Sequence, residues 1–116
     1  MIYFVIAQVT LSNLADGYRQ IDIAEDVDNR NCFTYFDSEG FMVELCLYED
    51  GLCLFRQSED HILELHLKDD CYAKITASEG IIRIEAKVIA FERNDDILEM
   101  HYLIDNDERV IEIKYL

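Results

Sequence analysis

Three histidines, four cysteines and a large excess of carboxylates are the residues here with chemistry to offer. The cysteines are Cys32, Cys46, Cys53 and Cys71. None forms a CxxC pair and none has a histidine at zinc-ligand spacing, so no metal site follows from them. Acidic residues concentrate in turns: Glu49, Asp50, Asp69, Asp70, Asp95 and Asp96 in one set, Glu59, Asp60, Glu79, Asp105, Asp107 and Glu108 in another. Paired carboxylates can move protons or hold calcium. The run Asp105-Asn106-Asp107 opens like a calcium loop but lacks its glycine and its closing glutamate. These acids read as solvated turns, and no cofactor is implied.

What positions these groups is a chain of alternating strands. The clearest stretch is 72–116, four consecutive strands whose apolar residues fall on one face. Upstream, residues 2–11 read as a strand, SNLADG as its turn, 18–24 as a weaker strand and 32–36 as a third. The acidic segment 25–31 reads as a loop or a short helical turn. From residue 41 the hairpins can be tested by side-chain parity, because a one-residue slip moves every side chain to the other face. Pairing Glu44 with Arg56 across Glu49-Asp50-Gly51 gives a three-residue loop with a terminal glycine. It turns Val43, Leu45, Leu47, Cys53 and Phe55 inward. Cys46 then faces outward, so a Cys46–Cys53 disulfide is not expected, and all four cysteines read as reduced. In the next hairpin Glu64 faces Lys74. Further on, Ala73 is set opposite Ala86, Val88 opposite Tyr102, Ala90 opposite Met100 and Tyr102 opposite Ile111. His66 and His101 fall on the outer face and His61 at a strand start. No nucleophile is placed beside any of them, which leaves an enzyme without a nucleophile–base pair.

The inner face carries the functional expectation. Ala73, Ala77, Ala86 and Ala90 are small, and small inward residues leave either a filled core or a cavity for an apolar ligand. If hollow, the site is lined by Ala73, Ala86 and Met100. Tyr102 and Tyr115 supply polar handles, and Arg109 near the rim meets an anionic head group. A second expectation is an interface or homodimer on the outer face of the 41–57 hairpin, through Met42, Tyr48, Leu52 and Leu54. Ile89 and Phe91 add a smaller outward apolar spot. Such patches mark contacts or are covered by another part of the chain.

Charge limits the partners. Twenty-five acids against ten bases give a net charge of −15. That field repels nucleic-acid backbones and anionic membranes, and leaves open a basic protein or a cationic ligand. The N-terminal apolar run has no basic start and no cleavage motif, and no stretch reaches a membrane span. A cytoplasmic location is the expectation. At 116 residues, without proline, repeat or linker, the chain reads as a single domain over 1–116.

From Gly51 onward the sequence resembles a known family. The runs LCLFRQSE (52–59), AKITASEGIIRI (73–84), NDDILEMHYLI and ERVIEIKYL are similar to the YwiB-like proteins of Gram-positive bacteria. Ser58 stands where that family usually has glycine, and the turn at 76–80 lacks its usual proline and tyrosine. The resemblance implies an all-β, up-and-down, calycin- or lipocalin-like barrel of about eight to ten strands. It implies no established activity. The expected function is therefore non-catalytic binding of a small apolar or amphipathic ligand inside a barrel.

Overall fold

In the computed structural model, which describes residues 5–26 and 31–116, ten antiparallel strands close into a barrel. The strands are β1 (Val5–Asn13), β2 (Tyr18–Asp26), β3 (Cys32–Phe36), β4 (Met42–Tyr48) and β5 (Gly51–Gln57). They continue as β6 (His61–Leu67), β7 (Tyr72–Ala77), β8 (Gly80–Arg93), β9 (Ile97–Ile104) and β10 (Asp107–Tyr115). Each strand pairs with the next, and β1 closes the ring on β10, with Ala7 opposite Tyr115. The architecture is the expected all-β barrel. Glu25 and Asp26 complete β2 rather than begin a loop. Residues 2–4 of the expected first strand and 27–30 of the acidic segment lie outside the described residues.

Alternation builds the core. Val9, Phe33, Val43, Leu45, Leu52, Leu67, Leu98, Met100, Ile111 and Ile113 are fully buried, and every one points into the barrel. Turn chemistry is local. Asp69 and Asp105 take positive φ, a conformation that short Asx side chains tolerate. Gly51 answers a different need: a Cβ there would run into the Leu67 carbonyl, so only glycine lets β5 and β6 approach.

Four strand pairings depart from the sequence reading. In the β4–β5 hairpin Leu45 faces Leu54 and Cys46 faces Cys53, across a two-residue Glu49-Asp50 loop. Glu44 and Arg56 are not partners. This one-residue difference turns Leu52, Leu54 and Arg56 inward and Cys53 and Phe55 outward. In β7–β8 and β9–β10 the registers are displaced by two, which preserves the faces: Ala73 meets Ile84, and Tyr102 meets Arg109. In β8 a bulge between Val88 and Ala90 reverses the faces beyond it. Ala90 therefore turns outward, and Phe91 packs against the core.

Two parts of the wall are thin. Among the described residues β2 and β3 share the single partnership Glu25–Thr34. Strand β8 pairs with β7 through Gly80–Glu85 and with β9 through Ala86–Arg93, handing over midway.

Candidate functional site at the barrel mouth

The barrel opens at the end formed by the β1–β2, β3–β4, β5–β6 and β9–β10 turns. A cavity of about 250 Å³ lies there. Its apolar floor is Leu11, Leu54, Leu65 and Ile111. These side chains reach it because each occupies an inward position of its strand, as alternation requires.

The polar groups form two unequal walls. On one side Arg56 Nε donates to Asp37 Oδ2 at 2.7 Å and its Nη2 to Glu39 Oε2 at 2.7 Å. The guanidinium also covers the Phe41 ring, 4.6 Å from its centroid. Asp37 further accepts the backbone N–H groups of Glu39 and Phe41. Burial alone would raise the Asp37 pKa, but Arg56 and these N–H groups outweigh it and hold the carboxyl below its ordinary value. Gln20 Nε2 donates to Ser38 Oγ at 3.0 Å and fixes the same turn to β2. Inward from it, Asp22 is pushed upward by burial and by the nearby Asp37 charge. Tyr35 is pushed upward too, by burial first, and its buried hydroxyl has no hydrogen-bond partner among the described residues.

The other wall is Tyr102 and Arg109, direct cross-strand partners. Burial pushes Tyr102 up to about 12, so its hydroxyl is protonated at neutral pH and can donate. Arg109 makes no ion pair among the described residues, and its Nε is buried without a hydrogen-bond partner. A buried donor left unsatisfied costs about 1–3 kcal/mol. Arg56 is neutralised by two carboxylates, whereas Arg109 keeps an unused donor over an apolar floor.

No protein-family model matches this chain, and no curated protein matches it. Among solved structures it is similar to the crystal structure of ywiB protein from Bacillus subtilis. That likeness has a TM-score of 0.41 and 12% identity, over 97% of this chain and 92% of the other. The resemblance read from residues 52–59 and 73–84 concerns the same kind of protein.

The sequence-derived site residues are thus divided. Tyr102 and Arg109 meet at the mouth. Tyr115 lies toward the opposite end, its ring 6.4 Å from Phe33, beside a separate cavity of about 260 Å³. Met100 and Ala73 are packed in the core and Ala86 lies against it. Ala73, Ala86 and Met100 do not line the mouth cavity: Ala73 faces Leu65 and Ile84, and Ala86 faces Ile104. Of the expected interface, Met42 and Tyr48 are exposed, whereas Leu52 and Leu54 are core residues. That outer patch is therefore much smaller than the alternation implied.

Sequence reasoning missed Arg56, Asp37 and Gln20 at the mouth, because it used Arg56 as an outward partner of Glu44. It also read the cysteines as reduced. Cys32 and Cys46 are opposite one another on β3 and β4 and form a disulfide. Side-chain parity bears on Cys46–Cys53 but begins at residue 41 and does not reach Cys32. Among the described residues no cluster of three or more metal-binding side chains occurs, and no helix is long and apolar enough to cross a membrane. His61 bonds within its own turn, to Ser58 and Asp60. His101 bonds Glu99 on the outer face.

Proposed function

We propose that this protein binds a small amphipathic molecule with an anionic head group at the barrel mouth. The head group, a carboxylate or similar oxyanion, sits on Arg109 with the Tyr102 hydroxyl as a second donor. The apolar part rests on Leu11, Leu54, Leu65 and Ile111. The observation that carries this reading is the buried, unpartnered Arg109 Nε over an apolar floor. The volume favours a compact ligand, since pockets for drug-sized molecules begin near 300 Å³.

The test is calorimetric titration with octanoate, in the wild type and in Arg109→Met. A charged hydrogen bond contributes about 1.5–3 kcal/mol, so the variant should bind roughly 10- to 100-fold more weakly. Tyr115→Phe, at the far end, should leave binding unchanged. Octanoate binding that is absent, or indifferent to Arg109→Met, overturns the proposal.

A further inference from the structure

Away from the mouth, the outer face carries a row of groups that the binding reading does not use. The registers of five adjacent strands align Cys32, Cys46, Cys53, His66 and Tyr72 as successive cross-strand partners. Cys32 and Cys46 are joined, with their Cα atoms 4.1 Å apart. Cys53 is a free thiol.

Geometry puts Cys46 within bonding reach of both neighbours. In an antiparallel sheet a residue alternates between a close pair, with Cα atoms about 4.5 Å apart, and a hydrogen-bonded pair about 5.5 Å apart. A residue of a central strand makes one kind toward each neighbour, because its N–H and C=O point the same way. Cys46 makes the close pair with Cys32, so toward Cys53 it makes the wider one. That separation also lies within the range a disulfide spans. The order across the sheet is thiol, disulfide sulfur, leaving sulfur, as a displacement at sulfur requires.

Cys53 also has a base. Its Sγ lies 3.5 Å from His66 Nδ1. The imidazole is stacked on Tyr72 with centroids 4.4 Å apart and met edge-on by Phe55 at 5.7 Å. Its Nε2 is 3.7 Å from Glu64 Oε1. Lys74 faces the same carboxylate at 3.6 Å.

We propose that Cys32, Cys46 and Cys53 form a thiol–disulfide exchange site in which Cys53 attacks Sγ of Cys46 and His66 takes the Cys53 proton. The Cys46–Cys32 bond breaks as the Cys46–Cys53 bond forms. Cys32 leaves as a thiolate and receives a proton from the imidazolium or from solvent. The exchange is internal, so no oxidant or reductant is consumed. Burial raises the Cys53 thiol, with Lys68 opposing, so the thiol needs a base at its sulfur to react. The result is a cross-link moved from β3–β4 to β4–β5. Strand β3, paired with β2 only through Glu25–Thr34 among the described residues, loses its covalent strap.

The experiment treats the oxidised, folded protein with excess iodoacetamide without reductant, then maps its links by mass spectrometry without reduction. Cleavage after glutamate separates the three cysteines, because Glu39, Glu44 and Glu49 lie between them. Each exchange exposes Cys32, alkylation traps it, and molecules should accumulate with a labelled Cys32 and a Cys46–Cys53 link. His66→Gln should slow that accumulation at least tenfold. Cys53→Ser should keep the Cys32–Cys46 link and label Cys71 alone. Cys32→Ser, oxidised with glutathione disulfide, should form Cys46–Cys53 and tests bonding reach without relying on His66. An intact Cys32–Cys46 link in all wild-type molecules, whether or not Cys53 is labelled, overturns the proposal. So does a Cys32→Ser protein that never links Cys46 to Cys53.

Discussion

At the scale of single residues, inward orientation decides which substitutions matter. Leu54 was an outward interface residue by the sequence reading, but it is 3% exposed and lines the cavity floor. Leu54→Ala should destabilise the fold by about 2–5 kcal/mol, the cost of a buried leucine truncation. Urea denaturation would show that loss, whereas a surface position would give almost none. Asp22 and Asp37 share the mouth but titrate in opposite senses. The Asp37 carboxyl is held low in the folded state, so its stabilisation is complete above the ordinary aspartate value and lost as pH falls through the lowered one. The Asp22 carboxyl is held high, so the folded state is favoured with Asp22 protonated and loses stability as pH rises through that value. Asp22→Asn should therefore stabilise the protein at neutral pH, and Asp37→Asn should destabilise it there. Unfolding midpoints between about pH 3 and pH 8 would separate the two.

At the scale of elements, the strands were legible and their registers only partly so. Alternation in β9 and β10 is regular, and an error of two residues left Tyr102 and Arg109 on the inner face where they belong. The β4–β5 hairpin failed because a surface ion pair, Glu44–Arg56, was allowed to choose the register. Such pairs contribute only about 0.2–1 kcal/mol, and burying Leu52 and Leu54 contributes about 1.5–3 kcal/mol each. Arg56 can turn inward only because Asp37 and Glu39 await it from the β3–β4 turn, a contact between distant segments that no local pattern displays. The bulge at Val88–Ala90 is equally silent in the sequence. The same slip concealed Cys53 beside His66. Weak pairing has its own signature: amides of Cys32–Phe36 should exchange with deuterium faster than those of β4 or β5, and reduction of Cys32–Cys46 should speed them further. Uniform protection around the ring would contradict that.

Over the whole molecule, fold class was legible because an up-and-down barrel repeats one local rule, strand then short turn. The site was legible only in part, because it is assembled from turns and from strands β1, β2, β5, β6, β9 and β10, which are widely spaced in sequence. The net charge of −15 bears on it directly. An anionic ligand of the proposed kind would approach against the field of the entire chain, while its contact with Arg109 would be short and partly buried. Salt screens the long-range repulsion more than the buried contact, over about 8–10 Å at ordinary ionic strength. Octanoate affinity should therefore rise with added salt, the reverse of a simple surface ion pair. Repeating the titration across salt concentrations tests this, and a falling affinity would count against the mouth as the site.

Closure of β1 on β10 also dictates an order of events in time. Nine of the ten strand junctions join neighbours in sequence and need only a short loop to close, whereas Ala7–Tyr115 joins residues almost a chain length apart. Loop-closure entropy places that step late, after the meander from β3 to β10 has supplied a template. Until then both β1 and β10 present unpaired edges. The nascent barrel is most vulnerable to association with other chains just before its final seam zips shut.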